Sequence, residues 1–153
     1  FENLDNHNAN LFSDGTNAYL VNGNGSIYAF DISNADIKWG IGLDTSINSN
    51  CTIMYGYIYL YSDENHIFCI DLETGNIDFE YNFEGEYGIG DICVTEDIIY
   101  FTTYEGLASI DLNGNNFKLY ELASCLAKKI VLNANEAYIT TTNNKLIKYL
   151  ISD

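Results

Sequence analysis

The chain repeats one short segment at a constant distance. The segment at residues 29–39 returns at residues 69–79 and, more loosely, at residues 109–114. Each copy begins 40 residues after the previous one. A repeat of this length restricts the fold to a row of similar supersecondary units, because a unit that small cannot bury its apolar face without neighbours.

Each unit consists of short β-rich runs separated by polar turns. One run in each unit begins with a tyrosine, and the run that follows begins with an apolar residue. The tyrosines are Tyr19, Tyr59, Tyr100 and Tyr138, and the apolar residues are Ile27, Ile67, Leu107 and Leu146. The Gly, Asn and Asp residues between them are typical of antiparallel hairpins. A further short run precedes each tyrosine and another follows the third run, so that four strands per unit predict the blades of a β-propeller.

The repeated segment also carries a recognisable motif. It has the form small-apolar-Asp-apolar-x-Thr-Gly-x-x-x-aromatic, and residues 29–39 and 69–79 carry it best. This motif resembles the quinoprotein-like (PQQ-like) β-propeller repeat. We expect its aspartates to fix turns through bonds to backbone N–H groups, and its aromatic residues to pack between blades. These predicted structural positions are Asp31, Trp39, Asp71, Phe79 and Asp111.

The two ends of the chain fall at different points of the repeat. Residues 1–5 align with residues 39–44 and 79–84, so the chain is predicted to begin on a fourth strand and to end on a third strand at residues 146–150. If the first strand completes the last blade, the result is a closed ring of four blades. The resemblance implies the alternative, because quinoprotein-like propellers usually have about seven or eight blades: the chain would then be half, or a fragment, of such a ring. A second copy of the chain, as a homodimer, or residues absent from this sequence would complete such a ring.

We predict one all-β propeller domain over residues 1–153, with repeats at about 1–38, 39–78, 79–118 and 119–153. One window departs from the strand pattern. The apolar spacing at residues 120–129 is compatible with one or two helical turns.

The charge of the chain excludes several classes of partner. With 22 acidic and 6 basic residues the formal net charge is −16. Nucleic acid and anionic lipid surfaces bind clustered Lys or Arg, so neither is expected as a partner. No apolar run is long enough for a membrane helix, and membrane insertion is not expected. Cations, cationic proteins and simple solubility remain as explanations of the negative charge. The partner that we predict is a protein, peptide or glycan.

The resemblance implies which residues a quinone cofactor would require. Quinone-binding relatives are expected to hold it with Ca²⁺, an Arg, a stacking Trp and often adjacent cysteines. This chain has no Arg, no adjacent cysteines and a single Trp, so we expect no cofactor. Calcium is the weaker alternative, because Asn- and Gly-rich turns occur without a complete 12-residue calcium loop.

The four cysteines are not spaced for a metal site. No two of them stand at CxxC spacing, and Cys51, Cys69 and Cys93 fall on small apolar positions of the repeat. Cys125 falls in a connection. Unpaired cysteines favour a cytoplasmic location, whereas the family resemblance favours an extracytoplasmic or secreted one.

The function that these observations favour is binding without catalysis. Blade packing uses most aromatic and apolar residues and leaves polar loops on a rigid support, where binding function is common. No catalytic residue can be assigned. The predicted partner-binding loop face consists of His7, Asp63, Glu64, His66, Glu86, Tyr87 and Tyr104. The alternative is a fragment of a larger propeller enzyme whose catalytic residues lie mostly outside this chain.

Overall fold

The computed structural model describes residues 9–47, 51–83, 91–122, 127–133 and 135–151. These residues form fifteen strands, and none of the described residues lies in a helix. The strands are β1 (Ala9–Ser13), β2 (Asn17–Asn22), β3 (Ser26–Asp31), β4 (Ile37–Gly42), β5 (Thr52–Met54), β6 (Tyr57–Tyr61), β7 (His66–Asp71), β8 (Ile77–Asn82), β9 (Ile92–Val94), β10 (Ile98–Thr102), β11 (Gly106–Asp111), β12 (Lys118–Glu121), β13 (Ala127–Asn133), β14 (Glu136–Thr141) and β15 (Leu146–Leu150). No helix of a length and hydropathy suited to crossing a membrane is therefore found among them.

The strands form four antiparallel sheets in which sequence neighbours are also spatial neighbours. Blade 1 contains β1–β4, blade 2 β5–β8, blade 3 β9–β12 and blade 4 β13–β15. This arrangement confirms the predicted all-β propeller of four-stranded antiparallel blades. The prediction of helical turns at residues 120–129 is wrong at both ends of that window. At one end β12 pairs with β11, and at the other end β13 pairs with β14.

The registers identify equivalent positions in the four blades. The tyrosine of each second strand stands opposite one residue of the third strand. The pairs are Tyr19 with Ala29, Tyr59 with Cys69, Tyr100 with Ser109 and Tyr138 with Lys148. Ile27, Ile67, Leu107 and Leu146 occupy a second equivalent position, two residues before those partners.

The core lies between the blades. Side chains of a strand alternate between the two faces of its sheet. In blade 1, Val21 and Ile27 point toward blade 2, where they share a buried cluster with Ile58 and Leu60. A second cluster joins blades 2 and 3, and a third joins blades 3 and 4. Each blade therefore buries its faces mainly against its sequence neighbours, as in other repeat proteins.

The motif residues meet at the first of these interfaces. Trp39, on β4 of blade 1, donates its indole N–H to the carbonyl of Leu72 in blade 2 at 3.0 Å. Gly75, which follows Leu72, has a φ of +74°, and a Cβ there would lie 2.7 Å from the Trp39 ring. Only glycine satisfies both the turn and the close approach. The Thr-Gly and aromatic parts of the motif therefore belong to one contact between consecutive blades.

The row of blades is open. Within the described residues, buried clusters join blade 1 to 2, 2 to 3 and 3 to 4, and no cluster joins blade 4 to blade 1. Blade 4 shows three strands where the others show four. Leu11 of blade 1 is 71% exposed and Leu146 of blade 4 is 69% exposed. The predicted strand at residues 1–5, which a closed ring of four blades requires, lies outside the described residues, and among the described residues the sheets do not close into a ring.

Candidate functional site: the loop face and a groove between blades 1 and 2

The motif aspartates organise turns at one end of the blades. The Oδ1 atom of Asp71 accepts hydrogen bonds from the backbone N–H of Glu73 and Thr74 and from the Thr74 hydroxyl, at 2.7 to 3.0 Å. Asp31 accepts the backbone N–H and hydroxyl of Ser33. Asp111 accepts backbone N–H groups and a side-chain amide in its own turn. These carboxylates face their own turns, one in each of three blades, and do not converge on one site.

These bonds predict a dependence of stability on pH. Bonds from Ser33, Thr74 and Asn115 hold the pKa of Asp31, Asp71 and Asp111, respectively, below the ordinary value. A lowered folded-state pKa stabilises the fold above the unfolded-state pKa of about 3.9, and this stabilisation disappears as the pH falls through the folded-state values. We expect the melting temperature to drop below about pH 4.

The isosteric variant Asp71→Asn isolates one of these groups. Its melting temperature should be lower than that of the wild type at pH 7. On acidification to pH 3, its melting temperature should fall by less than that of the wild type. Thermal denaturation followed by circular dichroism at both pH values measures the two melting temperatures. Because the two proteins differ by one charged group, comparing them removes most of the effect that overall charge has on stability. An equal fall in melting temperature in both proteins would contradict the stabilising role of the Asp71 carboxylate.

The predicted loop face is the opposite end of the blades, where second and third strands join. Asp63, Glu64 and Tyr104 are exposed there, and Tyr104 is 58% exposed. Burial is the largest cause that raises the pKa of Tyr61 to about 12, followed by the charges of Asp63 and Tyr104. His7, Glu86 and Tyr87 lie outside the described residues.

His66 lies beside the loop face in a groove between blades 1 and 2. Its Nδ1 atom pairs with the Glu80 carboxylate, and its ring stacks on Phe68. The groove has a volume of about 300 Å³ and is also lined by Glu64 and Thr45. The Thr45 hydroxyl is buried without a hydrogen-bond partner. Glu64 and His66 are thus brought together, whereas Tyr104 belongs to blade 3.

A second groove, lined by none of the predicted loop-face residues, lies at the end of the blades that carries the motif aspartates. It has a volume of about 610 Å³. Its lining residues are Asp14, Asn17, Tyr19, Lys38, Ile53, Met54, Tyr55, Gly56, Asp71, Leu72 and Glu73. Tyr55 is 54% exposed and Met54 is 38% exposed. The groove thus contains large apolar side chains beside both acidic and basic ones.

The polar wall of this groove is held by hydrogen bonds within blade 1. The Tyr19 hydroxyl donates to Asp14 at 2.6 Å, and the Lys38 ammonium donates to the side-chain Oδ1 of Asn17 at 2.7 Å. Bonds from Tyr19 and from the backbone hold the pKa of Asp14 far below its ordinary value. Burial and the bond to Asp14 raise the pKa of Tyr19 to about 12. The Asp14 carboxylate is therefore charged and fixed in position.

Tyr55 adopts an uncommon conformation at the mouth of the groove. It precedes Gly56 in the turn between β5 and β6 and has a φ of +53°. A non-glycine residue in the left-handed region costs free energy, and such residues are found disproportionately at functional sites. The Tyr-Gly pair was the only sequence signal for this site, because a hairpin turn normally carries Asn-Gly or Asp-Gly there.

The described cysteines are not suited to nucleophilic chemistry. Cys51, Cys69 and Cys93 are free thiols. Burial raises the pKa of Cys51 and of Cys69 to about 12 and raises that of Cys93, so these thiols stay protonated at neutral pH. In the part of the chain that the structure describes, no three His, Cys, Asp or Glu side chains are grouped to hold a metal ion.

The residues present do not fit the quinone cofactor of quinoprotein-like enzymes. The chain has no Arg to pair with the quinone carboxylates. Its single Trp is engaged between blades 1 and 2, where its indole N–H is bonded to Leu72 and its ring covers Gly75. Trp39 is therefore not free to stack on a planar ligand.

Comparison with known proteins agrees with this architecture. The family model of the outer membrane protein assembly factor BamB matches residues 1–81, just over half of the chain. No curated protein matches the chain in sequence.

Solved structures with the same fold include natural and designed propellers. BamB from Moraxella catarrhalis superposes with a TM-score of 0.72 and 14% identity, over 95% of this chain and 49% of that one. The computationally designed Ika4 protein gives 0.75 and 12%, over 98% and 96%. The designed Ika8 protein gives 0.76 and 11%, over 92% and 45%. The chain thus spans about half the length of the BamB and Ika8 chains, and with the motif of its repeats and the match of the family model it belongs to the BamB family of PQQ-like repeat proteins.

Proposed function

We propose that this protein is a non-catalytic scaffold that binds a segment of another polypeptide in the 610 Å³ groove between blades 1 and 2. The observation that carries the proposal is the exposed Tyr55, held in the left-handed conformation beside Met54 at the mouth of the groove. Tyrosine and methionine are enriched in protein interfaces, and an aromatic anchor beside a pocket is a common source of binding energy.

The charges of the groove favour a particular kind of segment. Asp14, Asp71 and Glu73 line it together with one cation, Lys38. A segment with basic and apolar side chains matches this lining, and the net charge of −16 would increase its association rate. The family relation supports a protein-binding role, since BamB is by its description an assembly factor for outer membrane proteins.

The predicted loop face is the second candidate surface. Tyr104 is exposed there to nearly the same extent as Tyr55, at 58% against 54%, and Asp63 and Glu64 provide negative charge. The two tyrosines lie at opposite ends of the blades and form a matched pair for mutation.

The test uses a peptide selected from a random library on the wild-type chain, with counter-selection on an acidic protein of another fold. The dissociation constant of the enriched peptide is then measured for wild type, Tyr55→Ala and Tyr104→Ala. We expect Tyr55→Ala to weaken binding about tenfold or more, the size typical of an aromatic anchor, and Tyr104→Ala to change it less than about twofold.

Two other outcomes would contradict the proposal. Loss of binding in Tyr104→Ala alone would transfer the site to the loop face and overturn the groove as the site. Failure to enrich any peptide over the acidic control protein would contradict polypeptide binding as the function.

A further inference from the structure

The 300 Å³ groove between blades 1 and 2 is not used by the proposed function. It shares no lining residue with the 610 Å³ groove that contains Tyr55. Three carboxylates and three large apolar side chains contribute to its lining. They are Asp44, Glu64 and Glu80, and Leu43, Phe68 and Ile77. The groove therefore combines negative charge with apolar surface, and its binding properties can be considered separately.

The apolar side chains and the carboxylates differ in burial. Leu43 is 7% exposed and Phe68 is 5% exposed, and both belong to the buried cluster between blades 1 and 2. The three carboxylates are on exposed residues. A ligand in this groove would thus meet buried apolar groups and solvated negative charges together.

The protein supplies little positive charge to this groove. The Nδ1 atom of His66 pairs with Glu80. The other two ion pairs among the described residues belong to blades 3 and 4 and involve neither Asp44 nor Glu64. No lysine lines the groove, whereas Lys38 lines the larger one. The groove is therefore expected to attract a cation from solution.

The pair of His66 and Glu80 is a departure of blade 2 from the repeat. His66 directly precedes Ile67, and Glu80 stands opposite Phe68. The equivalent residues are Ser26 and Gly40 in blade 1 and Gly106 and Leu119 in blade 3. Blades 1 and 3 thus form the same strands without an ionisable group at either position. Departures from a pattern that the fold itself does not require are expected at functional sites.

The position of the Glu80 carboxylate is determined by its neighbours. The His66 ring that pairs with it is stacked on Phe68, with ring centres 5.8 Å apart and planes inclined by 27°. The side chain of Glu80 nevertheless remains 45% exposed. This carboxylate is therefore held in place and can still be reached by a ligand.

The segment that carries Thr45 forms a preformed wall of the groove. The N–H groups of Leu43 and Ile47 donate to the carbonyls of Gly25 and Gly23, both at 2.9 Å. The hydroxyl oxygen of Thr45 is buried and has no hydrogen-bond partner. A buried hydroxyl without a partner is unfavourable, and an ammonium group has three N–H donors. An amine ligand would bring a suitable donor to this wall.

The distribution of the carboxylates distinguishes between kinds of cation. Asp44 lies in the connection to blade 2, Glu64 in the turn between β6 and β7, and Glu80 on β8. No three His, Cys, Asp or Glu side chains within the described ranges are grouped to hold a metal ion. A single small ion is thus a poor match. A linear molecule with several charges separated by methylene groups is a better one.

We propose that this groove binds a linear aliphatic polyamine, with its ammonium groups at the three carboxylates and its methylene groups on the three apolar side chains. The volume of about 300 Å³ is at the lower end of the range for small-ligand pockets. Each ammonium group gains a charged hydrogen-bond acceptor, and the chain between them loses contact with water. The inference does not rest on the proposed function.

The test is the binding of spermidine to the 153-residue chain, followed by nuclear magnetic resonance and by calorimetry. The chain has two histidines, His7 and His66, so the variant His7→Gln leaves the imidazole signals of His66 alone. We expect these signals to shift and saturate as spermidine is added. Calorimetry on the wild type should give the same dissociation constant.

Matched variants separate the groove from the overall charge. Glu64→Gln and Glu80→Gln should each weaken spermidine binding about fivefold, the upper range for a solvent-exposed ion pair. Glu96→Gln removes the same charge from an exposed residue between β9 and β10, and should change binding less than about twofold. Unchanged circular dichroism spectra establish that the variants fold.

A ligand series tests whether the spacing of several charges is recognised. Putrescine has two ammonium groups, and n-butylamine has one on a chain of the same length. Spermidine should bind more tightly than putrescine, and putrescine at least about threefold more tightly than n-butylamine.

Three results would overturn the proposal. The first is the absence of any shift of the His66 signals at millimolar spermidine. The second is a loss in Glu96→Gln as large as in Glu64→Gln and Glu80→Gln, which would mean general attraction to an acidic chain. The third is equal affinity for n-butylamine and spermidine, which would mean that the groove recognises one basic group, such as a lysine side chain.

Discussion

Replacing Gly25 with alanine is expected to lower the free energy of unfolding by about 4 kcal/mol. Gly25 lies in the turn between β2 and β3 with a φ of +86°. Its Cβ would stand 2.3 Å from the carbonyl oxygen of Thr45 and 2.4 Å from that of Leu43. Both atoms belong to the backbone, and the Gly25 carbonyl also accepts the N–H of Leu43 at 2.9 Å. The methyl group would therefore separate the turn from the segment that leads into blade 2.

Gly15→Ala is the matched control for this prediction. Gly15 has a similar φ of +94°, but a Cβ there meets no atom within 4 Å. Only the backbone strain remains, at a cost of about 1 kcal/mol. Urea denaturation at one fixed protein concentration measures both variants. Similar losses in the two would show that the contact with the carbonyl groups of residues 43 and 45 does not matter.

Replacing Phe101 with alanine should cost about 4 kcal/mol, the usual range for a fully buried phenylalanine. Phe101 is 0% exposed in the cluster between blades 2 and 3. Its ring centre lies 4.8 Å from that of Phe83 and 6.4 Å from that of Phe117. The cavity left by the ring would separate these aromatic contacts, since a packed interior relaxes only in part.

Phe101→Leu separates the loss of volume from the loss of an aromatic ring. Leu60 occupies the equivalent position of blade 2 and is itself 0% exposed, so a leucine suits this position of the repeat. We expect the leucine variant to cost less than about 1.5 kcal/mol. A loss in Phe101→Leu as large as in Phe101→Ala would mean that the specific aromatic contacts, rather than volume, stabilise this interface.

The sequence predicted the blades well because local rules determine them. The positions of Tyr19, Ile27 and their equivalents fix which side chains face one neighbour, and Gly and Asn fix the turns between strands. The constant step of 40 residues then places these hairpins in a row. The expected helix at residues 120–129 was wrong at its ends because pairing with β11 and β14 outweighs a short apolar spacing.

Ring closure could not be predicted in the same way. It depends on the small rotation between consecutive blades, and no single residue determines that angle. The groove beside Tyr55 was missed for a related reason. Its walls come from turns of two different blades, and the left-handed conformation of Tyr55 has little signature in sequence. The pairing of His66 with Glu80 was equally hidden, since the two residues are 14 positions apart.

The position of Trp39 has a spectroscopic consequence. It is the only tryptophan of the chain, and its indole contacts the turn of blade 2 from blade 1. Tryptophan emission therefore monitors the separation of these two blades, while the far-ultraviolet signal monitors all strands together. In a row of repeats the terminal units can unfold before the others. Comparing the two signals during one denaturation would reveal whether blade 1 detaches first or the whole row unfolds cooperatively.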